Sequence, residues 1–147
     1  MNLEILAYPF IFAAIYFEAF LLVTFLSAPA VASRRRVAST KTPLVAMIVP
    51  CYNEEKTVRG TVESLLALDY PKNQLRIILV NDGSIDGTAA VMDSFAQEEQ
   101  VTVIHQKNQG KHVALNAGIE AVPDAELIGC LAADSFVEAG ALREMMG

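Results

Sequence analysis

Cysteine is scarce in this chain of 147 residues, which has only Cys51 and Cys130. Two cysteines cannot build a disulfide framework. Both fall at or near the ends of predicted strands, where a reduced thiol acts as a small buried hydrophobe compatible with a reducing compartment. Histidine is as rare, with His105 and His112 alone, and no grouping of Cys and His has the spacing of a metal site. Neither histidine has a serine, cysteine or carboxylate partner at a spacing that forces a catalytic triad. No strand is followed by GxGxxG and no GxxxxGK[ST] occurs, which removes the dinucleotide fingerprint and the P-loop. Basic residues are outnumbered, 11 Lys and Arg against 17 Asp and Glu, and the net charge of -6 argues against a nucleic-acid surface. A small, locally positive site for an anionic ligand is still compatible with that balance.

Apolar residues, by contrast, are abundant, at 53% of the chain. The excess lies in the first 33 residues. From Ile5 to Ser33 the only charged residue is Glu18, and the run then meets Arg34-Arg35-Arg36. A bilayer-spanning helix needs roughly 20 mostly apolar residues, so the length fits. Ala30-Val31-Ala32 has the A-x-A form of a signal-peptide cleavage site, but Met1 to Glu4 has no basic residue and the run is longer than a signal requires. A buried helix without a polar face would need a larger domain around it. The expectation is a transmembrane anchor over residues 1–33 and a basic juxtamembrane linker over 34–43, where Lys41 and the arginines lie against anionic lipid. That places the chain in the cell membrane as a single pass with its globular part cytoplasmic. Glu18 would then face further transmembrane helices or sit nearer an interface.

Residues 44–147 form the second expected region. Leu44 to Val49 is an apolar run closed by Pro50, and Leu75 to Val80 is another, closed by Asn81-Asp82-Gly83. Between them Val58, Val62, Leu65 and Leu66 recur at helical spacing. This is a βαβ unit with a right-handed crossover, and strands so apolar belong in a parallel sheet covered on both faces. Further helices are expected from Asp86 and after Lys111, and further strands over Val101–His105 and Glu126–Leu131. A last helix is expected over Phe136–Met146. The class is α/β, an open mostly parallel sheet with helices on both faces, preceded by one transmembrane helix. Ligands of such sheets bind at the carboxyl ends of the strands. Here those ends carry Cys51-Tyr52-Asn53-Glu54-Glu55 and Asn81-Asp82-Gly83-Ser84, the most polar clusters of the unit.

Asp82 sits immediately past the second strand, where a carboxylate can accept from a base N–H or a sugar hydroxyl. Asp86 and Ser84 suit capping of the next helix better than ligand binding. Asn108-Gln109-Gly110-Lys111 offers a cation and backbone N–H groups at a helix start, which suits a phosphate, or equally forms a solvated turn. Asp134 ends the fourth strand, where it can be a metal or ligand group or a cap.

Taken together, VAMIVPCYNEE (45–55), ESLLALDYP (63–71), ILVNDGSIDGT (78–88), NQGKHVALNAGI (108–119) and LAADS (131–135) resemble the family 2 glycosyltransferases. Within them the likeness is to the membrane-anchored, processive type that makes cellulose, chitin, hyaluronan or poly-N-acetylglucosamine. The resemblance implies a GT-A nucleotide-sugar-binding fold. It also implies inverting transfer from a nucleotide diphosphate sugar, a UDP-sugar, to a growing glycan, assisted by Mg²⁺ or Mn²⁺. Carried over by position, the nucleotide-sugar contacts fall on Pro50, Tyr52, Asn53, Glu54, Asp82, Lys111 and Asp134. The DxD motif of the family becomes Ala132-Ala133-Asp134, so Asp134 alone remains as metal ligand and metal binding should weaken. The general base and the aromatic-basic acceptor segment lie further along in the family than Gly147, so no catalytic base is expected in this chain. Two functions follow: the donor-binding half of a glycosyltransferase with little turnover by itself, or a non-catalytic, membrane-anchored module that binds nucleotide sugars or partners. The expected partners are a UDP-sugar donor, a glycan acceptor and the lipid bilayer.

Overall fold

The computed structural model describes residues 3–27 and 42–146, and the chain divides into two units, Met1–Val37 and Ala38–Gly147. In the first unit, helix α1 runs Leu3–Ser27. Its described side chains, Tyr8 and Ile11 to Val23, are all exposed. No helix among the described residues is long and apolar enough to cross a membrane. This corrects the expectation of a transmembrane anchor over residues 1–33. The expected single-pass topology, cell-membrane localisation, cytoplasmic placement, lipid-bilayer contact and further transmembrane helices lose their basis with it. Glu18, within the helix, is a carboxylate that would be costly at the centre of a bilayer. Ala30 to Ala32, Arg34 to Arg36 and Lys41 lie outside the described residues.

The second unit alternates strands and helices: β1 (Val45–Cys51), α2 (Val58–Leu66), β2 (Leu75–Asp82), α3 (Thr88–Asp93), β3 (Val101–Gln106), α4 (Lys111–Glu120), β4 (Leu127–Cys130) and α5 (Ala141–Met146). The four strands form one sheet in the order β3-β2-β1-β4, and every pair is parallel. Side chains alternate faces along a strand, so each run of apolar residues serves two cores. Val45, Met47, Val49, Leu75, Ile77 and Leu79 pack with Val58, Val62 and Leu65 of α2 and with Met92 of α3. Ala46, Ile48, Ile78 and Val80 face the other way, against Ala114 and Val122. Each large side chain buried here contributes about 1.5–3 kcal/mol. The fit over β1 is tight: a Cβ on Gly118 of α4 would lie 2.5 Å from Ile48 Cγ2.

The strand order explains the two layers. Chain progression from β1 to β2 to β3 is in one direction, with α2 and α3 on one face. It then returns to β4 on the far side of β1 by way of α4. Right-handed crossovers running in opposite directions must cover opposite faces. The reversal leaves a crevice between β1 and β4 at their carboxyl ends, the position where open α/β sheets bind ligands.

Several expected boundaries shift by a residue or more. Strand β2 extends through Asn81 and Asp82 because β3 continues to pair with it as far as Gln106. The last helix begins only at Ala141, not at Phe136. The intervening backbone finds other partners: Val137 N–H donates to Ser64 Oγ, and the Ala139 carbonyl accepts from Asp69 N–H. The Phe136 ring rests over Gly60, where a Cβ would come within 2.6 Å of it. At the other edge, β4 leaves Leu127 and Ile128 43% and 45% exposed.

Candidate functional site

A cleft of about 450 Å³ opens at the carboxyl ends of the strands, lined by Pro50, Cys51, Tyr52, Glu54, Asp82, Asn108, Gly110, Lys111, Ala132, Ala133 and Asp134. This volume suits a small organic ligand. Four chain segments meet in it, three of them brought there by a strand end. Pro50 and Cys51 end β1 and Tyr52 and Glu54 follow it, Asp82 closes β2, and Ala132 to Asp134 lie beyond β4. Asn108 and Gly110 come from the loop before α4, and Lys111 opens that helix.

Asp82 joins two of these walls. Its side chain leaves β2 on the α4 face and is only 4% exposed. Oδ1 accepts from Gln106 Nε2 at 2.7 Å and Gln109 N–H at 2.9 Å, and Oδ2 accepts from Gly110 N–H at 2.9 Å. Burial works to raise its pKa, but these donors, with His112 nearby, hold it below the ordinary aspartate range. The carboxylate therefore fixes the loop that presents Lys111. Gly83 and Gly110 adopt φ of 71° and 93°, in the left-handed region that only glycine enters freely. A Cβ on Gly83 would meet Asn108 N at 2.6 Å.

The wall after β1 is locked to the loop after β2. Asn53, at φ 57°, donates its N–H to Ser84 Oγ at 3.0 Å and accepts from Ile85 N–H at 2.9 Å. Glu54 N–H donates to Thr88 Oγ1 and Glu55 N–H to Asp86 Oδ2. Asp86 also accepts the Thr88 N–H. The Thr88 hydroxyl first, and these N–H groups with it, hold the Asp86 carboxyl below its ordinary range. Glu54 in turn takes the Thr57 hydroxyl at 2.6 Å. Cys51 is no nucleophile: burial, reinforced by the Glu54 charge, pushes its thiol up to about 12.

Six of the seven residues singled out in the sequence therefore line one cleft: Pro50, Tyr52, Glu54, Asp82, Lys111 and Asp134. Asn53 does not, because its side chain closes the joint with Ile85. Sequence reasoning missed Thr61 of α2, which is fully buried. Its hydroxyl donates to the Ala133 carbonyl at 2.7 Å and so tethers the segment before Asp134. A threonine on the apolar face of a predicted helix was the available signal. Asn108, named in the sequence only as part of the 108–111 loop, also lines the cleft.

A model of glycosyl transferase family 2 matches residues 46–147, most of the chain. The chain belongs to glycosyl transferase family 2. It is 37% identical over 95 residues to the poly-beta-1,6-N-acetyl-D-glucosamine synthase of Staphylococcus epidermidis, covering 64% of this chain and 22% of the relative. It is 35% identical over 107 residues to the putative glycosyltransferase EpsH of Bacillus subtilis, covering 72% of this chain and 30% of that one. The chain thus spans between about a fifth and a third of these relatives. Among solved structures, S. aureus TarS 1-349 in complex with UDP-GlcNAc aligns with a TM-score of 0.60 at 24% identity, over 69% of this chain and 29% of that one. Mannosyltransferase PcManGT from Pyrobaculum calidifontis, in complex with GDP-Man and Mn²⁺, aligns at 0.66 and 24% identity, over 88% and 39%. These two likenesses are of fold: a GT-A-like parallel sheet flanked by helices.

Family 2 membership raises the question of a divalent ion. Among the described residues no three or more His, Cys, Asp or Glu side chains gather to hold one. Of the cleft carboxylates, Glu54 is engaged by Thr57 and Asp82 carries three donors. Asp134 is exposed and meets the Ser135 hydroxyl at 3.4 Å. The set does not fit an ion caged by protein alone. It does fit Mg²⁺ or Mn²⁺ held by one carboxylate together with ligand phosphates and water, a usual arrangement for Mg²⁺.

Proposed function

We propose that the cleft binds the nucleotide diphosphate part of a UDP-sugar and that the chain supplies the donor-binding part of an inverting glycosyltransferase acting on a growing glycan. The observation that carries this reading is the convergence of Tyr52, Asp82, Lys111 and Asp134 at the strand-order reversal. Tyr52, half-exposed at the cleft wall, offers a face for the base. Asp82 retains lone-pair capacity for one further donor, from the base or ribose. Lys111, the first residue of α4, suits the diphosphate. Asp134 would hold the divalent ion, which when bound offsets the charge of the leaving diphosphate. The UDP-GlcNAc complex named for TarS and the polymer named for the staphylococcal relatives support the choice of donor and acceptor.

Calorimetry with UDP, GDP and uridine, each with and without Mn²⁺, tests the reading. UDP should bind more tightly than uridine or GDP, and Mn²⁺ should strengthen UDP alone. UDP binding no tighter than uridine would remove the diphosphate assignment.

A second reading is favoured by Ala132, which stands where the DxD pattern has its first acid. On that reading the cleft holds a nucleotide sugar but transfers nothing. Product analysis after incubation with UDP-sugars and oligosaccharide acceptors separates the two.

A further inference from the structure

Asn81 and Asp82 are adjacent on β2 and leave it on opposite faces of the sheet. Asp82 turns to the α4 loop, whereas Asn81 turns to the α3 face, where it is 5% exposed. There it lies opposite His105 in the register of β2 with β3. Asn81 Oδ1 accepts the Ser84 N–H at 2.9 Å, so its amide nitrogen is the atom facing the ring, 3.1 Å from His105 Nδ1. An amide nitrogen only donates, so Nδ1 must be the acceptor. The ring proton then sits on Nε2, which donates to Asp93 Oδ1 of α3 at 3.0 Å. From Asn81 the chain of bonds continues through Ser84 to Asn53, whose neighbours Tyr52 and Glu54 line the cleft.

We propose that His105 is a positioning residue for the cleft: its neutral ring, oriented by Asp93, fixes the Asn81 amide, which fixes the joint of Ser84 with Asn53. The nucleotide-sugar reading enters only in calling the cleft a donor site. A second proton on the ring would place an Nδ1–H against the Asn81 NH₂, two donors facing each other. The amide must then turn over, which withdraws its oxygen from Ser84. Asp93 is the charged side chain bonded to the ring among the described residues. Asp82 and His112 lie on the α4 side of the sheet, and Lys107 follows beyond the strand end.

The joint should therefore loosen when the ring carries a second proton. The test is a pH titration of the full isotope-labelled chain by NMR, following the His105 ring, the Asn81 side-chain amide and the Ser84 backbone amide. His105→Gln is the conservative variant, since its carbonyl can accept from Asn81 and its NH₂ can donate to Asp93 without titrating. The Asn81 and Ser84 signals should move with the His105 ring in the native chain and stay still in His105→Gln. UDP affinity should fall roughly fivefold on protonation, the weight of one neutral hydrogen bond, and His105→Gln should abolish that pH dependence. A Ser84 amide that does not move as the ring titrates overturns the proposal, and so does equal movement in His105→Gln. An absence of UDP binding at every pH refutes the donor-site reading instead, and the NMR titration still decides the role of His105.

Discussion

Gln106 at the end of β3 donates through Nε2 to Asp82 Oδ1 on β2 across 2.7 Å, at the last register pair of the parallel ladder. The same carboxylate holds two backbone N–H groups of the loop leading into α4. One buried charge thus joins two strand ends to a helix start, and the loop can remain short and open to ligand because its orphan donors are satisfied from beneath.

The Asp82 bonds predict an acid-sensitive contribution to stability. The carboxyl sits below its ordinary value when folded, so its contribution is fully present above the unfolded value, near pH 4, and is lost as pH falls through the lower folded value. Asp82→Asn should cost about 2 kcal/mol at neutral pH, the scale of bonds to a charged acceptor. The gap between native and variant chains should narrow below pH 4. Urea unfolding at pH 7 and pH 3 measures both, and a constant gap would contradict the assignment.

Thr61 makes a separate prediction. Its hydroxyl reaches the Ala133 carbonyl from a fully buried position. Thr61→Val preserves shape but strips that carbonyl of its donor, which should cost about 1–3 kcal/mol. The Asp134 segment should also exchange its amide hydrogens faster. Unchanged exchange over residues 131–135 would show that the tether does not hold that segment.

The sheet and its helices were legible because both faces of β1 and β2 are buried, so their apolar runs admit few other readings. The cleft was legible because parallel strands deliver their polar ends to one rim. Asn53 was named with its neighbours by position in the family motif, and the sequence did not tell that its side chain lies outside the lining of the cleft. Its left-handed backbone turns the side chain to Ile85, and only tertiary packing sets that. Phe136 was read into the last helix, yet the chain there is held by Ser64 and packs over Gly60. The apolar N-terminal run was read as a membrane span from composition, and no helix among the described residues meets that requirement.

On the proposed function, Lys111 answers to phosphate. It opens α4 beside Gly110 at the cleft wall. Lys111→Ala should weaken UDP by about 2 kcal/mol, roughly thirtyfold, and leave uridine nearly unchanged. Paired titrations with both ligands decide it, since equal losses would move Lys111 away from the diphosphate.

Ala132 offers the converse experiment, a gain. It lines the cleft two residues before Asp134, and an aspartate there would restore the first acid of the DxD pattern. With alanine, a bound Mn²⁺ would have one protein carboxylate and depend on phosphate and water for the rest. Ala132→Asp should therefore strengthen UDP binding in the presence of Mn²⁺, by about tenfold for a contact worth about 1.4 kcal/mol. Uridine has no diphosphate to share an ion with, so its affinity should not change, and neither should that of UDP with chelator. Turnover need not follow, because a metal ligand does not deprotonate an acceptor hydroxyl. That step needs a base within hydrogen-bond reach of it. Calorimetry on both forms with UDP and uridine, with Mn²⁺ or EDTA, gives eight titrations in which only one pair should differ. If Ala132→Asp improves uridine as much as UDP, the added carboxylate is acting on the ribose and the metal assignment of Asp134 fails.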